Sequence, residues 1–388
     1  MKLFDETLYE IKQNKSIKES GKLLAIPFHK LPKLSTVLPG IRKKQYSIVT
    51  SNTKEGKTQL SDFLFVHQPL EFLYENPNFG LDLFTKYYSL EIGAKEKMTQ
   101  FISYRLFSKY GIAINPNNLK SQFENYTLDA EILKILESSE FKDYFQFLEE
   151  KVEIIDGIKH TTGIMVDAEG WCRKNGNVIY DKVTWEDGSE HKIIKNYIPN
   201  NPDLIFQPIV DHATLLAEKG KTLYECIKTL SSEHFIKLKN TYEASPVLVQ
   251  QQNAASTTQQ FTNRGDTVLE KVKPDIEGLA GCKDTRQDAT LMLGIFSPYK
   301  YKQSIYEGWD LTKLKDYHRE ISIMLNRSGR SNIAMQMYFN GANSYFKELP
   351  YVDPDEEDPI IYNKQLNAMN KVYSFVEENR QKELSMNI

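Results

Sequence analysis

From Tyr46 to Gln68 the chain reads YSIVTSNTKEGKTQLSDFLFVHQ, a string that accommodates a buried strand, a tight loop and a helix. Ser47, Ile48, Val49 and Thr50 are a short β-prone run. Leu60, Phe63, Leu64 and His67 recur at helical spacing, so the segment after the loop presents one apolar face to a sheet. The intervening residues match GxxxxGK[ST] except that Ser51 replaces the first glycine. In such a layout, backbone N–H groups of the loop and helix N-terminus surround phosphate oxygens. Ser51, Asn52, Thr53, Lys54, Glu55, Gly56 and Lys57 are therefore nucleotide-binding candidates, grouped with Gln68 at the end of the stretch. Lys57 is expected to reach the β- and γ-phosphates and the Thr58 hydroxyl to ligate Mg²⁺, which makes ATP and Mg²⁺ the expected cofactors.

A chain of 388 residues with 40% hydrophobic content suffices for one large α/β domain with extensions, or for two domains. The net charge of −3 excludes a uniformly basic nucleic-acid-binding surface. Any DNA site must concentrate positive charge in a groove or channel. Cys172, Cys226 and Cys282 lie far apart without a CxxC pair, against a disulfide framework or zinc site and in keeping with a reducing compartment. No apolar run approaches the roughly 20 residues of a membrane span, and the polar N-terminus does not read as a signal peptide. The expected location is the cytoplasm.

Residues 1–20 place Phe4, Leu8 and Ile11 on a narrow helical stripe that needs its own core or a neighbouring subunit to dock on. A connector with Pro27 and Pro39-Gly40 leads to the first strand. A second strand, Leu83–Leu90, ends in Glu91, where ligands bind in open α/β sheets. Glu91 can there accept a proton from the water attacking a γ-phosphate. The next helix carries Met98, Phe101, Ile102 and Leu106 on one face and stops at Gly111. Val152–Asp156 is a further candidate strand. Residues 170–197, with Asn175-Gly176 and Asp187-Gly188, read as an inserted surface hairpin.

Leu204–Asp211 is a core strand ending in an acid, the arrangement that holds a Mg²⁺ shell. His212 beside it is expected to be a packing or hydrogen-bonding group. Pro246–Gln250 is a fourth strand, followed by Gln251 and Gln252, either of which can reach a γ-phosphate. From Ala254 to Asp288 the chain is polar, and Arg264, Lys271, Lys273, Lys283 and Arg286 are the candidate DNA contacts. Ala289–Phe296 is a fifth strand. Ile321–Asn326 and Ile333–Phe339 form a hairpin around Arg327-Ser328-Gly329-Arg330. The acidic Tyr351–Pro359 marks a linker before a final amphipathic helix bearing Leu366, Met369, Tyr373 and Val376.

Taken together, SNTKEGKT, SLEIGAKEKMTQFISYRL, PIVDHATLL, PVLVQQQN, LAGCKDTRQDATLML and ISIMLNRSGRSNIAMQMYFNG resemble, in order, the motor domain of DnaB-type replicative helicases. The resemblance runs from about residue 21 to 350. It implies a RecA-like P-loop NTPase fold: a mostly parallel central sheet flanked by helices, with a C-terminal β-hairpin and the inserted hairpin. A linker helix (1–20) would precede this domain, and an acidic linker with a C-terminal helix (351–388) would follow it. The resemblance also implies a homo-oligomeric, hexameric ring on single-stranded DNA, with primase or a loader as candidate partners. By it, Lys57 and Thr58 would bind phosphate and Mg²⁺, Glu91 would activate water and Asp211 would hold the metal shell. Gln252, or Gln251 if the strand is one residue shorter, would sense the γ-phosphate. Arg327 would be an arginine finger reaching a neighbour's nucleotide, and loops between Asn253 and Arg286 would line the channel.

This chain departs from the family in three places. The family commonly has a lysine where this chain has Leu325, an arginine where it has Ala280, and Asp-Tyr where it has Asp211-His212. About 20 residues precede the connector, where bacterial members carry a primase-binding domain. That compact form resembles a divergent phage-encoded member, which would act in the host cytoplasm. The expected function is an ATP-driven DNA helicase. The alternatives are a RecA-like ATPase that binds DNA or protein without unwinding, and a degenerate loader or structural subunit.

Overall fold

The computed structural model describes residues 3–122, 126–185, 188–253 and 268–386. Thirteen strands are seen among them. They are β1 (Ser47–Ser51), β2 (Asp82–Ser89), β3 (Val152–Ile155), β4 (Gly176–Thr184), β5 (Glu190–Pro199), β6 (Leu204–Asp211) and β7 (Val247–Gln251). The C-terminal half adds β8 (Leu291–Phe296), β9 (Ile305–Tyr306), β10 (Trp309–Asp310), β11 (His318–Asn326), β12 (Ile333–Asn340) and β13 (Tyr345–Glu348). Nine of the strands form one sheet in the order β13-β12-β11-β8-β1-β7-β6-β2-β3. The run from β8 to β3 is parallel, and β11, β12 and β13 extend it antiparallel.

Burial explains why the centres of β1, β7 and β8 are apolar. Ile48, Val49, Leu248, Val249, Leu293 and Ile295 are wholly buried, because both faces of the sheet are covered. One face packs on Leu60, Phe63, Leu64 and Leu70 of the helix after the loop. The other packs on Ile164 of Thr161–Lys174 and on Leu230, Phe235 and Leu238 of the helical stretch Leu223–Tyr242.

The 21–45 connector is part of the core. Ile26 and Ile41 pair their backbones, and Phe28, Leu31, Leu34 and Leu38 are buried. Gly40 is required there: its φ is +120°, and a Cβ would fall on the Ile26 carbonyl.

The inserted element starts later than its sequence suggests. Residues 170–174 complete the helix Thr161–Lys174, and the antiparallel ribbon is β4–β5. Its base packs through Val178, Ile194 and Tyr197. The helix Leu3–Glu19 buries none of its residues, so its apolar stripe is unmatched among the described residues. The final helix, Pro359–Met386, docks through Val376, with Met369, Val372 and Phe375 packed beside it, and Glu383 accepts hydrogen bonds from Tyr317 and Asn340. Its first turn stays exposed at Ile360.

Candidate nucleotide site

The parallel register brings the C-terminal ends of β1, β2, β6 and β7 to one edge. Ser89 lies opposite Asp211, and Ser51 opposite Gln251. The loop that follows β1 is therefore beside the acid that ends β6. Ser51 is the last residue of its strand, with extended backbone, and donates its hydroxyl to the Asn52 carbonyl. A glycine is not needed at that position. Left-handed backbone occurs instead at Lys54 (φ 63°) and Gly56 (φ 107°). A Cβ on Gly56 would lie 3.1 Å from the Phe339 ring, so conformation and space both demand glycine. Helical backbone begins at Lys57 and runs to Glu75 through a π-helical turn at Phe63–His67.

Thr58 Oγ1 donates to Asp211 Oδ1 at 3.0 Å. The other oxygen, Oδ2, lies 2.9 Å from the Tyr87 hydroxyl, which is also 2.8 Å from Asp62 Oδ1. Lys97 Nζ is 2.7 Å from Asp62 Oδ2 and 3.7 Å from Asp211 Oδ2. Asp62, Tyr87, Lys97 and Asp211 are buried. Burial pushes the Asp62 carboxyl up, opposed by Lys97. Asp62, Tyr87 and Lys97 were not evident from sequence. A hint was available in Thr58 and Asp62, four residues apart on one helical face.

Glu91 lies two residues beyond β2, 57% exposed, on the same edge. Its Oε2 is 3.5 Å from His212 Nε2, and the other ring nitrogen of His212 is 2.8 Å from the Thr214 hydroxyl. His212 is thus a hydrogen-bonding group. Burial first, then Lys57, lowers its pKa.

Only part of the loop faces outward. Asn52 donates to the Val272 carbonyl at 2.6 Å and to the Tyr301 hydroxyl at 2.9 Å. Glu55 is buried; Tyr301 donates to it at 3.1 Å, and Lys300 lies 3.5 Å away. Burial raises its pKa to about 7. Arg319 Nε donates to the Glu55 carbonyl at 2.9 Å. Asn52 and Glu55 therefore hold the loop from behind, while Lys54 is exposed and Lys57 half-buried. Beside the loop is an open cavity of about 680 Å³, lined by Lys54, Tyr299, Lys300, Lys302 and Asp316 among others.

Gln251, the alternative to Gln252, is the glutamine at the loop, although β7 ends one residue later than expected and not earlier. Gln251 donates to the Thr53 hydroxyl of the loop. Gln252 is buried, donating to Thr50 Oγ1 at 3.0 Å and to the Asp275 carbonyl. Successive residues at the end of a strand point to opposite sides, which separates the two. Gln68 is also not at the loop. It lies eleven residues along the helix from Lys57, roughly 16 Å, buried, and accepts the Lys30 N–H at 2.9 Å.

Arg327 follows Asn326, which pairs with Leu291 at the start of β8. That is the opposite edge of the sheet, and its guanidinium donates to the carbonyls of Ala289 and Gln287. Among the candidate DNA contacts, Arg264 lies outside the described residues. Lys271 and Lys283 are exposed. Lys273 is drawn to Glu320 at 3.5 Å and sits over the Tyr306 ring, and Arg286 pairs with Glu277.

No protein-family model matches the sequence, and neither does any curated protein. Solved structures do match. The ATPase domain of G40P superposes on 90% of this chain and all of its own, with a TM-score of 0.62 at 15% identity. The fold is that of a DnaB-type helicase motor domain. A second match bears this out: a DnaB-like replicative helicase, solved for its interactions with primase, aligns over 88% of this chain and 66% of its own, with a TM-score of 0.58 at 16% identity. In this chain the loop after β1 and the acid that ends β6 lie on one edge of that fold. Among the described residues no helix is long and apolar enough to cross a membrane.

The pairing of Thr58 with Asp211 suits Mg²⁺. Among the described residues no cluster of three or more His, Cys, Asp or Glu could cage a metal. Mg²⁺ needs none, because it takes one or two protein oxygens together with water and phosphate.

Proposed function

We propose that the chain is the motor of a ring helicase that couples ATP hydrolysis to movement on single-stranded DNA and to duplex unwinding. The observation that carries this is the hydrogen bond between Thr58 and Asp211 at the edge where Lys57 and Glu91 also lie, within a fold shared with DnaB-like ATPase domains. Lys57 and the loop amides hold the phosphates. Thr58 and Asp211 would hold Mg²⁺, which when bound neutralises charge on the β- and γ-phosphate oxygens. Glu91 orients the attacking water and takes its proton, steadied by His212. Gln251 reports the γ-phosphate to the segment beyond β7, where Lys271 and Lys283 meet the DNA backbone. The basic cavity by Lys54 receives the rest of the nucleotide.

Arg327 serves a neighbouring copy's site, since it and the loop are a strand's length apart, roughly 15 Å. The exposed stripe of Leu3–Glu19 docks on that neighbour in a hexameric ring. Primase or a loader is the further partner.

A second reading, a RecA-like ATPase that does not unwind, draws on the ion pairs that occupy Lys273 and Arg286. Strand displacement on a forked duplex separates the two. Release of the displaced strand that requires ATP supports the helicase. DNA-stimulated ATP hydrolysis without release supports the second reading.

A further inference from the structure

Behind the Thr58–Asp211 pair, the buried cluster of Asp62, Lys97 and Tyr87 is larger than a phosphate loop needs. It is built from three separate elements: Asp62 is on the helix after the loop, Tyr87 is on β2, and Lys97 is on the helix Ala94–Tyr110. Lys97 has two acids within reach, Asp62 at 2.7 Å and Asp211 at 3.7 Å, and its ammonium lies over the Tyr87 ring at 4.4 Å. A buried ammonium pairs with the nearest carboxylate, because an unpaired charge there is very costly. Asp62 is that carboxylate. Without it, Lys97 would need to move only about an ångström, within its side-chain freedom, to pair directly with Asp211.

We propose that Asp62 is a positioning residue that keeps Lys97 off Asp211, so that Asp211 keeps its oxygens for Thr58 and for a divalent cation's shell. The proposal rests on the nucleotide-site reading above and goes one layer beyond it. Tyr87 completes the arrangement by spanning the two carboxylates, fixing the ring of contacts at one size. Outer-shell partners of this kind are commonly worth 10- to 100-fold in metal affinity.

The test is binding of a fluorescent ATP analogue with Mg²⁺ titrated from EDTA, which reads metal dependence without turnover. Asp62→Asn is expected to raise the Mg²⁺ concentration for half-maximal enhancement by about 10-fold or more, with affinity in EDTA unchanged. Asp62→Asn/Lys97→Met, which removes the competing cation as well, is expected to return to within about threefold of the unsubstituted chain, since separable charge effects cancel in such a cycle. A purely structural role would not give that rescue. Asp62→Asn with an unchanged Mg²⁺ requirement overturns the proposal, and so does a double variant no better than the single one. Should Asp62→Asn not fold, the double variant and Lys97→Met decide. Both keep the Mg²⁺ effect if Lys97 is the competitor, and loss in either contradicts it. An unsubstituted chain without any Mg²⁺-dependent nucleotide binding would instead refute the nucleotide-site reading itself.

Discussion

Thr58 Oγ1 and Asp211 Oδ1, 153 residues apart in sequence, are 3.0 Å apart in the fold. Thr58 is on the helix that follows β1 and its loop, Asp211 ends β6, and the two strands are not adjacent, because β7 lies between them. What brings them together is the common direction of the parallel strands, which delivers every C-terminal end to one edge. The expectations below follow from which edge each residue occupies.

Glu91 is on the edge that carries the loop after β1 and is 57% exposed, so the proposed mechanism gives it a chemical role. Glu91→Gln is expected to leave MgATP affinity and thermal stability unchanged and to lower turnover by about 10²-fold or more, the scale of a general base. Single-turnover hydrolysis checks it. Turnover at the unsubstituted rate would remove Glu91 from the mechanism.

Glu55 titrates inside the fold. Burial raises its pKa to about 7 from its ordinary 4.5, so the native state binds a proton that the unfolded chain has released in between. The stability linked to that proton is fully present below about pH 4.5 and is lost as pH rises through about 7. Glu55→Gln, which never ionises, is therefore expected to gain on the unsubstituted chain between pH 5 and 8, by an amount on the order of 1–3 kcal/mol. Urea unfolding across that range reads it, and a pH-independent difference would contradict the burial argument.

DNA contact should depend on the exposed lysines and not on the paired ones. Lys271→Ala and Lys283→Ala are expected to flatten the salt dependence of single-stranded DNA affinity by about one unit of slope per lost phosphate contact. Lys273→Ala should instead lower stability, since it strips Glu320 of a partner. Fluorescence anisotropy over a salt series distinguishes them, and equal slopes in all three would place the DNA elsewhere.

Arg327 cannot complete its own chain's site from the far edge of the sheet. Lys57→Ala and Arg327→Ala chains are each expected to be inactive alone. Mixing them should recover part of the ATPase rate, because some interfaces then join an intact Lys57 to an intact Arg327. No recovery between subunits shown to exchange would sink a finger in trans, and full activity of Arg327→Ala alone would remove the finger altogether.

Much of this arrangement was legible in the chain itself. Strands such as Leu204–Asp211 are mostly apolar and bounded by turns, and buried parallel strands leave that pattern. The loop motif is local, so its residues could be found without knowing the fold. Harder to see were properties that depend on which way a side chain turns. Which of Gln251 and Gln252 faces the loop depends on the side to which each turns at the end of β7. Asn52 and Glu55 sit within the motif yet turn inward, because Tyr301 and Arg319 arrive from some 250 residues away. The pairing of Asp62 with Lys97 joins two helices across the sheet edge, and nothing in either helix alone announces it. Gln68 closes the same stretch of sequence as the loop, yet the helix carries it away to the Lys30 amide.

Steady-state ATP hydrolysis by the unsubstituted chain and by Lys57→Ala, with and without single-stranded DNA, tests the central claim most directly. A motor of the kind proposed hydrolyses ATP in the presence of Mg²⁺, does so faster on single-stranded DNA, and loses both the basal and the stimulated rate in Lys57→Ala. An unsubstituted chain that hydrolyses ATP no faster than Lys57→Ala, with DNA or without it, would contradict the account.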